Sequence, residues 1–407
     1  MHILHTSDWH LGQVFYGKSR AAEHRAFLDW LLQQVDQHQV DALIVAGDLF
    51  DTGTPPSYAR AIYNEFVVAL ASRTCQLVLL GGNHDSVAML NESKPLLNKL
   101  GATLVAGARE DLTEQVMWVR NTEGDPIGQI CAVPYLRPRD IQRSEAEQSG
   151  EQKQRSLQQA IAEHYQGVIE LARSQQREQG LTLPLVATGH LTTVGASSSE
   201  SVRDLYIGTL DAFPAAAFPE VDYLALGHIH RSQTVAGQDH LRYCGSPIAL
   251  SFDELGKAKE VLLVELGAGQ PAQVTALKVP SFQPMAMLKG DLAAVERQLS
   301  ELESDSDQGP VWLDIEVVSD DYLSDLQARV MALVEGLEVE VLLVRRARAD
   351  RSATLQAEVE NETLAELSVQ QVFERRLALE TLSEAQQQRL QQRFDQVAEI
   401  LAEEQSE

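Results

Sequence analysis

Apolar runs that stop abruptly at glycine or polar residues set the pattern of this chain. Ile3-Leu4 and residues 42–46, 76–80, 183–188 and 222–226 are mainly hydrophobic stretches, as expected of strands buried on both faces of a largely parallel sheet. Between the first of them the spacing turns helical. Ala21, Phe27, Leu28, Leu31, Leu32 and Val35 predict a helix over 20–38, Ile62, Phe66 and Leu70 a second after Pro55-Pro56, and residues 89–100 a third. From residue 115 the segments become short and alternating: 116–119, a turn at 123–126, then 127–133. That is the antiparallel part of a mixed sheet, read as the second layer of a sandwich. Residues 151–179 predict a long helix with an apolar trace through Leu157, Ile161, Tyr165, Val168, Ile169 and Ala172 but no sustained heptad. Residues 260–266 predict a closing strand.

Pro271, Pro280 and Pro284 mark a domain boundary around 270–284. Beyond it, strands at 285–289, 311–318 and 338–344 alternate with helices near 291–303 and 321–334, a small α/β module. In the tail, Ser368 with Gln371 and Ser383 with Gln386 match the Ser-x-x-Gln capping box. The second tail helix presents Leu390, Phe394, Val397 and Leu401 as an apolar stripe that needs a surface to cover it. The expected organisation is therefore residues 1–275, a module at 284–346 and helices within 363–404.

Composition narrows the class. No apolar run in the 407 residues reaches membrane-spanning length, and the N-terminus runs directly into a strand without a signal-peptide pattern, so a cytoplasmic protein without membrane contact is expected. Cys75, Cys131 and Cys244 have no C-x-x-C spacing and are expected to be reduced and structural. The formal charge of -26 repels nucleic acid at long range. Any work on nucleic acid must then rest on local basic patches, bound cations or a partner. Two patches stand out, Arg137, Arg139 and Arg143 after Tyr135, and Arg345, Arg346, Arg348 and Arg351; each is read as a phosphate contact or an ordinary solvated edge.

The chemistry sits where the buried strands end. Asp8-Trp9-His10-Leu11-Gly12, Gly47-Asp48-Leu49-Phe50-Asp51, Gly81-Gly82-Asn83-His84-Asp85-Ser86, Gly189-His190 and Gly227-His228-Ile229-His230 follow five strands in order. In a parallel sheet every carboxyl end is delivered to one edge, so Asp8, His10, Asp48, Asn83, His190, His228 and His230 can converge there. Mixed carboxylate, imidazole and amide donors suit manganese or another borderline divalent ion better than a closed cysteine-rich zinc centre. Seven donors are too many for one open ion and fit two that share a carboxylate, roughly 3.5–4 Å apart, across a phosphoryl group. Asp48 is the expected bridge. His84 is read as a donor to the scissile phosphate or leaving oxygen, and Asp85 as the acceptor that orients His84. Asp51 is expected to be a turn residue or a support behind the site rather than a ligand, and His24 and His38 to lie at the surface or rim.

These motifs resemble, in order and surroundings, the calcineurin-like metallophosphoesterase superfamily, and within it the nuclease subunits of bacterial SbcCD complexes. The resemblance covers essentially the whole chain. It implies an α/β fold: a metallophosphoesterase two-sheet sandwich flanked by helices, with a small α/β capping domain and a C-terminal helical tail. It implies two manganese ions per subunit, with magnesium possible: Asp8, His10, Asp48 and His230 around one, Asp48, Asn83, His190 and His228 around the other, and His84 acting on the phosphate. It further implies 3'-to-5' exonuclease action on double-stranded DNA, endonuclease action on single strands and hairpins, and a homodimer joined to two copies of an SbcC-type SMC-like ATPase. The tail helices would dock on that ATPase, and the complex would act at the nucleoid in repair, recombination and replication. A small-molecule or phosphoprotein phosphoesterase would use the same ions but leaves cap and tail without work. A non-catalytic interaction protein leaves seven placed donors unexplained.

Overall fold

The computed structural model describes residues 1–141, 149–194, 212–302, 309–318, 326–346 and Arg393. Residues 1–345 form one compact unit. The tail helices expected within 363–404 lie outside the described residues, Arg393 excepted, as do Arg143, Arg348 and Arg351.

Two six-stranded sheets face each other. In the first, His2–Thr6, Ala42–Val45, Gln76–Leu80 and Thr103–Val105 run parallel. Glu260–Glu265 adds antiparallel to His2–Thr6, and Gln273–Lys278 adds antiparallel to that. The second sheet has a parallel centre of Pro126–Cys131, Leu185–His190, Tyr223–Gly227 and Gln238–Tyr243. Val116–Arg120 and Gln233–Val235 close its two edges antiparallel.

Strand alternation explains why these segments read as unbroken apolar runs. Ile3, Ile44, Val78 and Leu80 turn inward against Ile130, Val186, Tyr223 and Ala225 of the opposite sheet. Leu4, Leu43, Val45, Leu77 and Leu79 turn outward onto the helices Ala21–Gln37, Ser57–Ala71 and Val87–Lys99. The outer face of the second sheet packs on Gly150–Glu178 through Leu157, Ile161, Tyr165 and Val168. That helix opens on a reciprocal cap in which the Ser149 hydroxyl accepts from the Gln152 amide and Gln152 Oε1 accepts from the Ser149 amide. His5 is a buried polar tie between the layers, its Nδ1 2.9 Å from the Tyr223 hydroxyl. Burial pushes its imidazole down to about 3.

Two sequence expectations change. Residues 273–278 form an edge strand that carries the first sheet past residue 275, because Pro271 and Pro280 bracket a strand rather than a linker. His24 is 1% exposed, on the packed face of its helix, and burial with the charges of Arg20 and His10 pushes it down to about 3.

The small module runs Met285–Gly290, Leu292–Ser300, Val311–Val317, Leu326–Leu333 and Val339–Arg346 in strand-helix alternation. Its three strands form one sheet with Val311–Val317 in the middle. A seam of Phe15, Phe252 and Trp312 ties it to the sandwich. Phe15 comes from a short hairpin, Val14–Phe15 with Lys18–Ser19, that directly follows the Asp8–Gly12 segment.

Candidate metal centre

The ends of the first two parallel strands are fastened to one another beyond the sheet. The amides of Asp8, His10 and Leu11 donate to the carbonyls of Gly47, Asp48 and Leu49 at 3.0, 3.1 and 3.0 Å. This holds the two motif loops side by side and fixes where Asp8, His10 and Asp48 point. Seven described non-glycine residues have positive φ, and four of them are Asp8, His10, Asp48 and His228. Left-handed backbone is costly for such side chains and persists where the surroundings over-determine it, as at functional sites. Gly82 shows the same crowding, since a Cβ there would lie 2.1 Å from Asp48 Oδ1 and 2.3 Å from the Asp48 amide nitrogen.

Three groups of donors come together, each with its ligand atoms within 4.8 Å of one another: Asp8, His10 and His230; His10, Asp48 and His84; Asp48, His190 and His228. Asp48 belongs to two of them, with Oδ2 3.7 Å from His10 Nε2 and 3.2 Å from His190 Nε2. Asn83 joins through Oδ1, 2.8 Å from that same His190 Nε2. All seven sequence-predicted donors therefore lie at one edge of the sandwich.

The surrounding contacts decide which atoms face inward. His190 Nδ1 lies 2.8 Å from the Ala46 carbonyl, so Nδ1–H donates there and Nε2 turns to Asp48. His10 Nδ1 is 3.1 Å from Asp51 Oδ1, which leaves Nε2 of that ring toward Asp48. Asp8 accepts from the Ser7 hydroxyl at 2.5 Å and from the His228 amide at 3.0 Å. His84 donates its amide to Asp48 Oδ1 at 2.9 Å, and its Nδ1 is 2.8 Å from the Asp51 carbonyl.

The orienting part expected of Asp85 is corrected. Its oxygens accept from the amides of Gly82, Leu49 and Phe50 at 2.9, 3.1 and 3.0 Å. A carboxylate so engaged pins its own loop to the Asp48 loop, while the Asp51 carbonyl is what meets the imidazole of His84. Burial and the neighbouring Asp48 charge push Asp85 up to about 6. Arg137 is likewise structural here, donating to the carbonyls of Asp85 at 2.8 Å and Gly82 at 3.3 Å, whereas Arg139 is 81% exposed. Arg345 is engaged as well, clasping the buried Asp314 through Nε and an Nη.

The charge pattern calls for cations. Burial works to raise Asp48, and the charges of His190, His10 and His84 overcome it, holding the carboxyl well below its usual range. Burial works to lower His190, and Asp48, Asp8 and the Ala46 carbonyl push it instead up to about 9. His10 rises for the same kind of reason, with Asp51, Asp48 and Asp8 outweighing burial. His228 goes the other way, well down, through burial and the charge of His190. Nε2 of His10 and Nε2 of His228 are buried without a hydrogen-bond partner. Carboxylates that borrow protonated imidazoles, next to imidazole nitrogens with no partner, are a donor set that fits divalent metal. The three cysteines take no part; all are buried and free.

A sandwich of this topology with such a centre is the architecture of a metal-dependent phosphoesterase, and a family model described as calcineurin-like phosphoesterase matches residues 1–232. A second, SbcD_C, described as type 5 capsule protein repressor C-terminal domain, matches residues 281–381. The chain is 57% identical over 402 residues to the SbcD subunit of nuclease SbcCD from Escherichia coli K12, covering 99% of each. It is 34% identical to the like-named protein from Rhodobacter capsulatus, covering 87% of this chain and 89% of that one, and 33% identical to the one from Bacillus subtilis, covering 80% and 81%. The chain belongs to the SbcD family of nuclease subunits.

Proposed function

We propose that the chain hydrolyses DNA phosphodiester bonds with two divalent ions, manganese being the expected pair, as the nuclease subunit of an SbcCD-type end-processing complex. Asp8, His10, Asp48 and His230 would hold one ion, and Asp48, Asn83, His190 and His228 the other. The observation that carries this reading is the membership of Asp48 in two donor groups, its Oδ2 lying 3.7 Å from His10 Nε2 and 3.2 Å from His190 Nε2, so that one carboxylate stands between the two sets. When bound, such ions clamp the reacting phosphoryl group and supply both the nucleophilic water and charge stabilisation.

The chain's own groups do the rest. The Asp51 carbonyl accepts from Nδ1–H of His84, so a proton for the leaving oxygen would be carried at Nε2 by the imidazolium form, protonated on both ring nitrogens. Asp85 holds the Asn83–His84 loop against the Asp48 loop and Arg137 braces the same loop through the Gly82 and Asp85 carbonyls, which keeps His84 beside the proposed ligands; its ring centroid is 4.6 Å from that of His10. In this reading the enzyme is a 3'-to-5' exonuclease on duplex DNA and an endonuclease on single strands and hairpins. It works as a homodimer with two copies of an SMC-like ATPase, in the cytoplasm at the nucleoid. A partner also fits the charge of -26, because an ATPase surface can hold the DNA that this chain repels at long range.

The test is hydrolysis of linear duplex DNA in manganese, with and without the SbcC-type ATPase, against a cyclic nucleotide and a phosphopeptide. Cutting of the duplex, stimulated by ATPase and ATP and lost in Asp48→Asn, is the expected result. Undiminished cutting by that variant removes the two-ion mechanism, and preference for the small substrates removes the DNA reading.

A further inference from the structure

Behind His230 lies a buried carboxylate that belongs to none of the motifs. Glu254 is 2% exposed and stands at the end of the short helical turn Phe252–Glu254. Its Oε1 is 3.4 Å from Nδ1 of His230, itself 3% exposed, and the Ser251 hydroxyl also donates to Oε1 at 3.3 Å. Its Oε2 accepts from Lys259 at 2.5 Å, the Leu250 amide at 3.1 Å and the Ser246 hydroxyl at 3.3 Å. Lys259 in turn donates to the His230 carbonyl at 3.1 Å and to Ser246 at 2.8 Å. His230 is thus gripped at its ring by Glu254 and at its backbone by Lys259, while the same ring stands in the group with Asp8 and His10.

We propose that Glu254, neutralised by Lys259, is a positioning residue of the metal centre: it takes Nδ1–H of His230 and so presents Nε2 to the cation held by Asp8 and His10. A carboxylate behind a ligating imidazole fixes its tautomer and orientation and strengthens it as a donor. Burying a charged pair costs desolvation, and an apolar pair of similar volume would fill the space without that cost. Its value therefore lies in aiming the ring. The inference rests on the two-ion reading, and its test separates the two.

Manganese is titrated into the full-length chain, with bound and free ion followed by electron paramagnetic resonance. Wild type is expected to take up two ions; fewer would overturn the two-ion reading itself, and this inference with it. Glu254→Gln is expected to weaken one ion about 10–100-fold and spare the other. Glu254→Asp, which keeps a charge for Lys259 but withdraws the oxygen from Nδ1, is expected to fall between. Where Glu254→Gln does not fold, Glu254→Asp decides alone. The double variant E254Q/K259M removes the stranded lysine charge; it is expected to recover melting temperature in EDTA while still binding one ion weakly. Recovery of both ions at wild-type affinity by the double variant, or wild-type affinity in Glu254→Asp, would show that Glu254 serves only to neutralise Lys259.

Discussion

Nε2 of His190 stands 3.2 Å from Oδ2 of Asp48, with both side chains closed off from solvent. Without metal this is an ion pair, and Asp48 lifts His190 from its ordinary 6.5 to about 9 against the pull of burial. A raised histidine stabilises the fold fully below its unfolded value and loses that contribution as pH climbs through the folded one. The melting temperature in EDTA is therefore expected to fall between pH 6.5 and about 9. A divalent ion taken up by His190, as proposed, would have to displace this proton, so affinity should rise over the same window and binding should release protons. Calorimetry in two buffers of different ionisation enthalpy measures the release. A flat metal-free melting profile with no proton release would contradict the pair.

Replacing His84 by glutamine leaves Asp48, His10 and His190 untouched. Two ions should stay bound while turnover drops about 10²–10⁴-fold, the usual worth of a positioned proton donor. Loss of metal stoichiometry in this variant would make His84 a ligand.

The strand-end motifs were legible because each is a local event: an apolar run and then a donor, with a glycine directly before the donor in four of the five. Parallel topology carries Asp8, Asp48 and Asn83 to one end of the first sheet and His190 and His228 to one end of the second, and the packing of the two sheets on each other brings the two sets together. Partnerships reaching across sequence were not legible. Asp85 adjoins His84 and looked like its partner, yet its carboxylate is consumed by amides at Leu49 and Phe50, 36 and 35 residues away. The strand Gln273–Lys278 was hidden because an edge strand is apolar on one face at most, and flanking prolines read as a linker. Glu254 had no motif around it, and only folding brings it to His230.

Asp85→Asn is the converse of the His84 substitution. An asparagine amide offers one acceptor oxygen where the carboxylate offered two, and turns its own N–H groups toward backbone donors. The expected cost is about 1–3 kcal/mol of stability, seen in EDTA by chemical denaturation, with weakened metal binding as the loop slackens. Unchanged stability with lost turnover would restore Asp85 to the catalytic apparatus.

What holds the small module to the sandwich can be decided by magnitudes. Trp312 is 7% exposed and stacks on Phe15, ring centroids 5.8 Å apart and planes 16° from parallel, with Phe252 against the same ring of Phe15 at 5.0 Å. Beside this seam Lys18 pairs with Glu340 at 2.7 Å, but the two side chains are 40% and 38% exposed. A pair so solvated contributes roughly 0–1 kcal/mol, whereas truncating a buried tryptophan costs about 3–5 kcal/mol. Trp312→Ala should therefore loosen the module, seen as faster proteolysis within residues 279–312, and Lys18→Ala should not. Manganese uptake should survive in both, because the proposed ligands follow the sandwich strands and not those of the module. If Trp312→Ala also released an ion, the strain would be transmitted either through the hairpin that follows Gly12, from Phe15 back to His10, or through the turn Phe252–Glu254 to His230.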